Sequence, residues 1–262
     1  MAGDGMVTAG RRPIILGHRG ASADAPENTL AAFRLAVEQG ADGIELDVWR
    51  CGSGEVIVHH DADTARTAGV ARRVSSTSWA ELRRLDVGSW KGERFAGERV
   101  PLLAEVLEAL PSAVVNVELK SSGWPDLALA RAVMEILRDA GAEERCLVSS
   151  FDYVLLASFR LAARGVGTGI LFAAGPRWRW RAEAGLRALS PRAVHPQAVL
   201  ATAARVERWH ARGLEVNVWT VDEAEEVTRL AALGVAGLIT NRPAVARAAL
   251  RRAGGASHPL PR

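Results

Sequence analysis

The sequence lacks the features of several specialised protein classes. Only two cysteines, Cys51 and Cys146, occur among its 262 residues, and they lie in unrelated segments without CxxC spacing. They therefore predict neither a disulfide framework nor a zinc site. No apolar run approaches the length of a membrane span, and the first residues lack the apolar stretch of about 7–15 residues found in secretory signals. We therefore expect a cytoplasmic protein without stable membrane insertion.

Several catalytic and ligand-binding signatures are also missing. There is no G-x-S-x-G elbow, and neither cysteine lies in a nucleophile signature. The glycines at 165–169 have the wrong spacing for a nucleotide loop and no Gly-Lys pair follows them, so we interpret them as structural. The net charge is only +3 and the arginines are spread along predicted helices, so we expect no nucleic-acid partner.

One basic segment is the exception. In PRWRWRAEAGLRA, at 176–188, tryptophans alternate with arginines. We interpret this segment as solvated surface. The alternative is a loop that covers an acidic substrate or makes transient contact with anionic lipid.

Short apolar segments rich in Val, Ile and Leu alternate with longer amphipathic segments along the chain. Eight predicted strands separated mainly by helices favour parallel pairing, the α/β class and a (β/α)8 TIM barrel; a doubly wound open sheet is the alternative. The predicted strands span 13–18, 43–49, 114–120, 146–151, 165–172, 193–197, 214–220 and 237–240. We assign 13–250 to one barrel domain, with disordered ends at 1–12 and 251–262.

The connection after the second strand is unusually long. An insertion at about 51–110 begins with a hairpin partner strand, EVIVHHD, at 55–61. Insertions on the carboxyl face of a barrel commonly carry binding elements. The insertion is therefore expected to contribute to a functional site.

Acidic residues occur at alternating positions of two predicted strands. Glu45 and Asp47 are two residues apart and project from one face of a strand. Inside a closed barrel they would repel each other and lose hydration unless a cation joined them, and a hard divalent ion meets that need. Solvated edge carboxylates are the alternative. Glu118 can add a third carboxylate, and Lys120 can balance charge or hold an anionic substrate, unless the two form only a structural salt bridge.

Histidines lie at the ends of two predicted strands. GHRG contains His18 and Arg19, while VHHD contains His59 and His60, of which strand alternation turns only one toward the cavity without deciding which. Two histidines near a metal ion suit acid–base chemistry at an anionic ester. The guanidinium of Arg19 suits phosphate, because it can donate two parallel hydrogen bonds.

The segment after GHRG predicts a turn and a helix start. Gly20 permits a turn that most residues resist, and PENT, at 26–29, offers Asn28 or Thr29 as the helix cap. Glu27 is either a carboxylate of the site or a partner of the helix dipole in the first turn.

Taken in order, these segments resemble the glycerophosphodiester phosphodiesterase family over about residues 13–245. The markers of the resemblance are GHRG, PENT, GIELDVW, VHHD, NVELK, NVWTVD and GVAGLITNRP. The last marker departs from the family at Ala236, where an acidic residue is common, and at Asn241, where aspartate often occurs. We expect both departures to affect local packing or a contact at the barrel rim and to leave the core chemistry unchanged.

The resemblance implies a TIM barrel that cleaves glycerophosphodiesters to glycerol 3-phosphate and an alcohol with a divalent ion, Ca²⁺ or Mg²⁺. It implies that His18 and His60 are the acid–base pair, with His60 chosen because it directly precedes Asp61 and His59 left in a supporting or surface role. The remaining implied roles are Arg19 for phosphate, Glu45, Asp47 and Glu118 for the metal ion, Lys120 within the charged site and Trp219 in the substrate pocket.

The expected reaction uses one histidine as base and the other as acid. His18 would take a proton from the neighbouring glycerol hydroxyl, through a cyclic phosphate, or from water, and His60 would protonate the leaving alcohol. Two other functions stay open. One is a lysophospholipase D-like activity on lysophospholipids, which the segment 176–181 supports, and the other is non-catalytic binding of phosphodiesters. An amidohydrolase is disfavoured because the first strand has no HxH pair.

Overall fold

The computed structural model describes residues 12–163 and 165–255, and a closed parallel barrel forms its centre. The strands are β1 (Ile14–His18), β2 (Gly43–Arg50), β3 (Val56–Val58), β4 (Val114–Leu119), β5 (Cys146–Ser150), β6 (Gly167–Phe172), β7 (Ala193–Pro196), β8 (Glu215–Val218) and β9 (Gly237–Thr240). Strand β1 pairs in parallel with both β2 and β9, so the sheet closes on itself. The fold is therefore the predicted (β/α)8 barrel, and an open doubly wound sheet is excluded.

Helices surround the barrel. They are α1 (Leu30–Glu38), α2 (Ala65–Ala68), α3 (Trp79–Leu82), α4 (Leu103–Ala109), α5 (Leu127–Asp139), α6 (Tyr153–Ala162), α7 (Pro176–Leu189), α8 (Ala203–His210), α9 (Ala224–Ala232) and α10 (Pro243–Gly255). Of the two caps offered for the first helix, Thr29 is the one used, since its side chain accepts from the Ala32 N–H. None of the described helices is both long enough and apolar enough to cross a bilayer.

Strand alternation separates the core from the site. On β2, Ile44 and Leu46 are fully buried in the main apolar core, while the residues between and after them, Glu45 and Asp47, belong to a cluster of carboxylates. The period of two along a strand produces this division. The same periodicity supported the prediction from sequence.

The interior of the barrel also contains buried polar side chains. Asn116 donates to Ser149 Oγ at 3.0 Å, and Asn217 Nδ2 lies 3.1 Å from His195 Nε2. A Cβ on Gly169 would lie 2.5 Å from that same nitrogen, so this glycine leaves room for the His195 ring. The role of the 165–169 glycines is structural at this position.

The insertion has a small core of its own. Strand β3 pairs antiparallel with β2, and a separate apolar cluster includes Trp49, Ile57, Val74 and Leu82. Helix α4, in contrast, packs into the main core. Within the predicted insertion of about 51–110, the change from the separate cluster to the barrel core therefore falls near residue 102, before α4.

The structure differs from the sequence expectations at two further places, one boundary and one segment. Helix α10 continues to Gly255, so the C-terminal boundary at 250 is too early. Residues 1–11 and 256–262 lie outside the described residues. The basic segment at 176–188 forms helix α7 and not a loop; within it Trp178 is half-buried, while the side chains of Arg177, Arg179 and Trp180 lie outside the described set.

Candidate active site

The predicted site residues meet in a cavity of about 180 Å³ at the carboxyl ends of the barrel strands. Asp47 is 1% exposed beside this cavity and contacts both Arg19 and Lys120. The other seven predicted residues line it: His18, Arg19, Glu45, His60, Glu118, Lys120 and Trp219. The fold thus brings together groups from β1, β2, β4, β8 and the insertion.

The GHRG segment turns sharply at the end of β1. Arg19 and Gly20 both have a left-handed backbone, with φ of 54° and 87°, a conformation that glycine adopts readily and arginine rarely. A Cβ on Gly20 would lie 2.5 Å from the carbonyl carbon of Ala32 in α1, so the close approach of that helix requires glycine. The turn places the Arg19 N–H 3.1 Å from Glu45 Oε2 and its Nε 3.3 Å from Asp47 Oδ2.

Three buried carboxylates from neighbouring strands face one another. Asp47 on β2 is the direct neighbour of Glu118 on β4, and one oxygen each from Glu45, Asp47 and Glu118 lies within 4.8 Å of the others. Lys120 Nζ lies 2.8 Å from Glu118 Oε1 and 3.2 Å from Asp47 Oδ1. The salt bridge between Glu118 and Lys120 therefore exists, but as part of this larger cluster.

Burial and repulsion act unequally on the carboxylates. Burial raises the pKa of Glu45 well above its ordinary value, and the charges of Asp47 and Glu118 raise it further. Burial also favours the neutral form of Asp47, but Lys120 and Arg19 outweigh it and hold the pKa of Asp47 below its usual range. The cluster is therefore short of positive charge at Glu45.

The donor set fits a hard divalent cation. Carboxylate oxygens are the ligands that Ca²⁺ and Mg²⁺ take in proteins. Arg19 and Lys120 set two positive charges against three carboxylates, which leaves the repulsion at Glu45 for a further cation to offset. Both the charge balance and the ligand type therefore fit a divalent cation at this cluster.

An amide holds His18 on the side away from the carboxylates. Its Nδ1 lies 2.7 Å from Asn241 Oδ1, and Asn241 Nδ2 donates to Asp222 Oδ2 at 2.6 Å. A carboxylate only accepts, so the second bond turns Asn241 Oδ1 toward His18, whose Nδ1 carries the hydrogen and whose Nε2 keeps its lone pair. Burial lowers the pKa of His18 to about 4, with a contribution from Arg19, so its ring is neutral at pH 7.

Two asparagines have roles that the sequence did not reveal. Asn241 was expected to affect local packing or a contact at the barrel rim, and in the structure its contact is with His18 itself. Asn28, offered as a helix cap, is buried and donates to Asp47 Oδ2 at 2.9 Å. Neither contact has a local signal, since each joins segments that are distant in sequence.

A carboxylate holds the second histidine. His60 Nδ1 lies 2.7 Å from Asp61 Oδ1, and Asp61 Oδ2 accepts from Arg66 Nε at 2.7 Å. Burial lowers the pKa of His60, whereas Asp47 and Asp61 oppose that effect. The two histidines thus differ in their partners, one neutral and one charged.

The adjacent histidine takes no part in the cavity lining. His59 is 4% exposed, and its Nε2 lies 3.0 Å from the carbonyl oxygen of Asp63 within the insertion. Both histidines follow the end of β3 at Val58, and only His60 lines the cavity. The structure thereby makes the choice that periodicity left open.

Glu27 and Arg66 form a bridge outside the carboxylate cluster. Glu27 accepts from Arg19 Nη1 at 3.0 Å and from two nitrogens of Arg66 at 2.7 and 2.8 Å. Despite burial, these two arginines hold the pKa of Glu27 below its usual range. Glu27 is thus neither a member of the carboxylate cluster nor a partner of the α1 dipole alone. Arg66 was not identified from the sequence.

A larger cavity of about 1100 Å³ lies between α7 and α8. Its apolar lining includes Phe172, Trp178, Leu186 and Trp209, and Arg205 and Arg208 also line it. Trp178 contacts Phe151, with ring centroids 5.2 Å apart. Phe151 in turn lines the smaller cavity and packs edge-on against Trp219, with centroids 5.6 Å apart. Aromatic side chains therefore connect the two cavities.

Comparison with known proteins shows which sequences and structures this chain resembles. The model of the glycerophosphoryl diester phosphodiesterase family matches residues 18–245. The chain is 35% identical over 234 residues to a glycerophosphodiester phosphodiesterase of Caldanaerobacter subterraneus subsp. tengcongensis, covering 88% of this chain and 95% of the relative. It is 27% identical over 264 residues to a lysophospholipase D of Homo sapiens, covering 87% and 83%.

The fold has a solved counterpart with a bound product. The structure is similar to that of an Oleispira antarctica phosphodiesterase in complex with the product sn-glycerol-3-phosphate. The TM-score is 0.85 at 29% sequence identity, with 92% of this chain and 97% of that chain covered.

Proposed function

Because the chain belongs to the glycerophosphoryl diester phosphodiesterase family and is a phosphodiesterase of that kind, we propose that it hydrolyses glycerophosphodiesters to glycerol 3-phosphate and an alcohol by two-histidine acid–base catalysis. The observation that carries the proposal is that His18 and His60 line one cavity, beside three carboxylates and two positively charged side chains. The product complex of the Oleispira enzyme supports this substrate class.

In the proposed complex the substrate phosphate contacts the positively charged side chains of Arg19 and Lys120. Arg19 offers a planar fork that matches phosphate oxygens, and Lys120 adds a compact point charge. Both side chains are less than one-fifth exposed, so their charges are screened less than those of surface residues. They hold the phosphate in place and offset the charge that builds up in the transition state.

His18 acts as the base. Its Nδ1–H is committed to Asn241, so Nε2 presents a lone pair to the cavity. Nε2 takes a proton from the attacking hydroxyl, which is either the glycerol hydroxyl next to the phosphate or water. Attack by the glycerol hydroxyl passes through a cyclic phosphate that water then opens.

His60 acts as the acid. Its Nδ1 faces the carboxylate of Asp61, which stabilises a positive ring better than an amide does. An anionic phosphodiester in the cavity favours the protonated ring further. His60 gives its proton to the oxygen of the departing alcohol, so the leaving group departs as a neutral molecule.

Glu45, Asp47 and Glu118 would hold the divalent ion, calcium or magnesium. When bound, the ion supplies positive charge that offsets negative charge on the phosphate oxygens. Asn28 keeps Asp47 in place through its amide, and Lys120 keeps Glu118 in place.

A second candidate activity is cleavage of lysophospholipids. The observation that favours it is the aromatic connection between the small cavity and the groove between α7 and α8. Such a groove can hold an acyl chain while the phosphate stays at the histidines. The similar human lysophospholipase D is consistent with this substrate class.

A product assay tests the proposal. Purified protein is incubated with glycerophosphodiesters of choline, ethanolamine, glycerol and inositol, and with lysophosphatidylcholine, each with Ca²⁺, Mg²⁺ or EDTA. We expect released glycerol 3-phosphate, detected by a coupled dehydrogenase, that depends on the added ion. Absence of turnover on every diester with either ion would overturn the proposal, and choline release from lysophosphatidylcholine alone would favour the second activity.

A further inference from the structure

A chain of charged contacts runs around the cavity from His60 to Arg19, and Arg66 stands at its middle. Arg66 Nε donates to Asp61 Oδ2 at 2.7 Å, and its Nη1 and Nη2 donate to Glu27 at 2.8 and 2.7 Å. Asp61 Oδ1 lies 2.7 Å from His60 Nδ1. Glu27 accepts from Arg19 Nη1 at 3.0 Å.

We propose that Arg66 is a positioning residue that aligns the proton donor His60 with the phosphate-binding Arg19, acting through Asp61 and Glu27. The proposal rests on the proposed function, because it takes the roles of His60 and Arg19 from it. The function needs such a link because the two groups come from different parts of the chain. Arg19 and Glu27 belong to the connection after β1, whereas His60, Asp61 and Arg66 belong to the insertion.

The chemistry of the contact calls for an arginine. One guanidinium uses three nitrogens to grip two carboxylates that lie in different directions. The planar fork makes this possible, since its donors point outward at fixed angles. The ammonium group of a lysine is a single point and cannot span both partners with the same geometry.

Because the contacts of Arg66 lie near solvent, its effect on catalysis can be distinguished from its effect on folding stability. The Arg66 side chain is 45% exposed and that of Asp61 is 31% exposed. An ion pair this close to solvent contributes little to folding, and Glu27, which is 13% exposed, keeps Arg19 as a partner when Arg66 is removed. A catalytic group displaced by about 1 Å can nevertheless lose on the order of 100-fold in rate. Loss of Arg66 should therefore affect turnover much more than the melting temperature.

The test compares Arg66→Met and Arg66→Lys with Arg84→Met, a control that removes an exposed arginine of the same insertion. Kinetics are measured on glycerophosphocholine and on the p-nitrophenyl diester of glycerol phosphate, whose leaving group departs without a proton from His60. We expect Arg66→Met to lower kcat on glycerophosphocholine on the order of 100-fold and to raise KM on both substrates. The fall in kcat should be much smaller on the p-nitrophenyl diester. Arg66→Lys should restore little, and Arg84→Met should match wild type.

A combined variant tests the route of the effect. In a protein that already carries Asp61→Leu and Glu27→Met, Arg66→Met should cost little further activity, because neither replacement side chain can accept the bonds through which Arg66 acts. Wild-type kinetics in Arg66→Met would overturn the proposal. The proposal would also be overturned if Arg66→Met lowered activity equally on both substrates, with a fall in melting temperature, and if it lowered the activity of the double variant by the same factor. An inactive wild type would instead overturn the proposed function and this inference with it.

Discussion

Asn241 Oδ1 accepts a hydrogen bond from His18 Nδ1 at 2.7 Å across 223 positions of sequence. Asp222 orients the amide by accepting from its Nδ2 and also from the Asn241 backbone N–H at 2.7 Å. One histidine of the cavity therefore has a fixed tautomer, with its free nitrogen toward the substrate. This contact gives the two histidines separate roles.

Replacing Asn241 with leucine should reduce catalysis without unfolding the protein. Leucine is similar in size but has no acceptor for the His18 Nδ1–H, so the ring loses its fixed tautomer and orientation. A general base contributes about 100-fold or more to rate, and we expect kcat/KM to fall on the order of 100-fold. Kinetics together with thermal melting check this. An unchanged kcat/KM would show that the contact with Asn241 is not needed.

The two histidines should respond differently to the leaving group. His18→Ala removes the base and should slow glycerophosphocholine and the p-nitrophenyl diester alike. His60→Ala removes the acid and should slow the first substrate by about 100-fold or more but affect the second far less. The ratio of kcat/KM between substrates is the measurement. The opposite pattern would exchange the two roles, and normal turnover by His60→Ala would exclude it as a catalytic group.

Glu45→Gln should stabilise the metal-free protein while removing activity. The substitution removes one of three carboxylates that repel one another in a buried cluster. Each kcal/mol gained should raise the melting temperature by about 2–4 °C. Added Ca²⁺ should raise the melting temperature of the wild type but have much less effect on the variant, because the ion loses a ligand. A variant that melts lower without metal, or that responds equally to Ca²⁺, would contradict this.

Trp178→Ala should separate the two candidate substrates. It opens the groove between α7 and α8 where that groove meets Phe151, at a distance from the histidines. We expect KM for lysophosphatidylcholine to rise about tenfold, since burial of one large side chain against a ligand contributes roughly 1.5–3 kcal/mol at most. KM for glycerophosphocholine should change little. Equal effects on both substrates would mean that the groove does not hold the acyl chain.

His195 should make the barrel sensitive to acid. Burial lowers its pKa to about 3, against about 6.5 for an unfolded histidine. The unfolded chain therefore takes up a proton first, and the stability that the neutral ring provides above about pH 6.5 is lost as pH falls toward 3, by about 1.4 kcal/mol per pH unit. His195→Gln removes this dependence. Urea unfolding at pH 7, 6 and 5 should show wild type losing stability faster than the variant; parallel losses would contradict the prediction.

Much of the barrel could be predicted because its determinants are local. The alternation of apolar and acidic residues on β2 identifies both the buried face and the functional face, since side chains on a strand alternate with a period of two. The order of strand and helix patterns then favours the closed parallel barrel. The sequence prediction fell short where the helical pattern had no clear stop, since α10 continues past residue 250 to Gly255.

The sequence by itself determined the secondary structure pattern, the same-face spacing of Glu45 and Asp47, and the set of motifs that resemble the family. Only the tertiary structure decided which histidine of the pair faces the cavity and which distant residues hold the reactive groups. Asn241 reaches His18 because β9 lies next to β1 when the sheet closes, and Arg66 reaches Glu27 because the insertion folds over the barrel mouth. Such contacts depend on strand order and chain closure, and no local period encodes them.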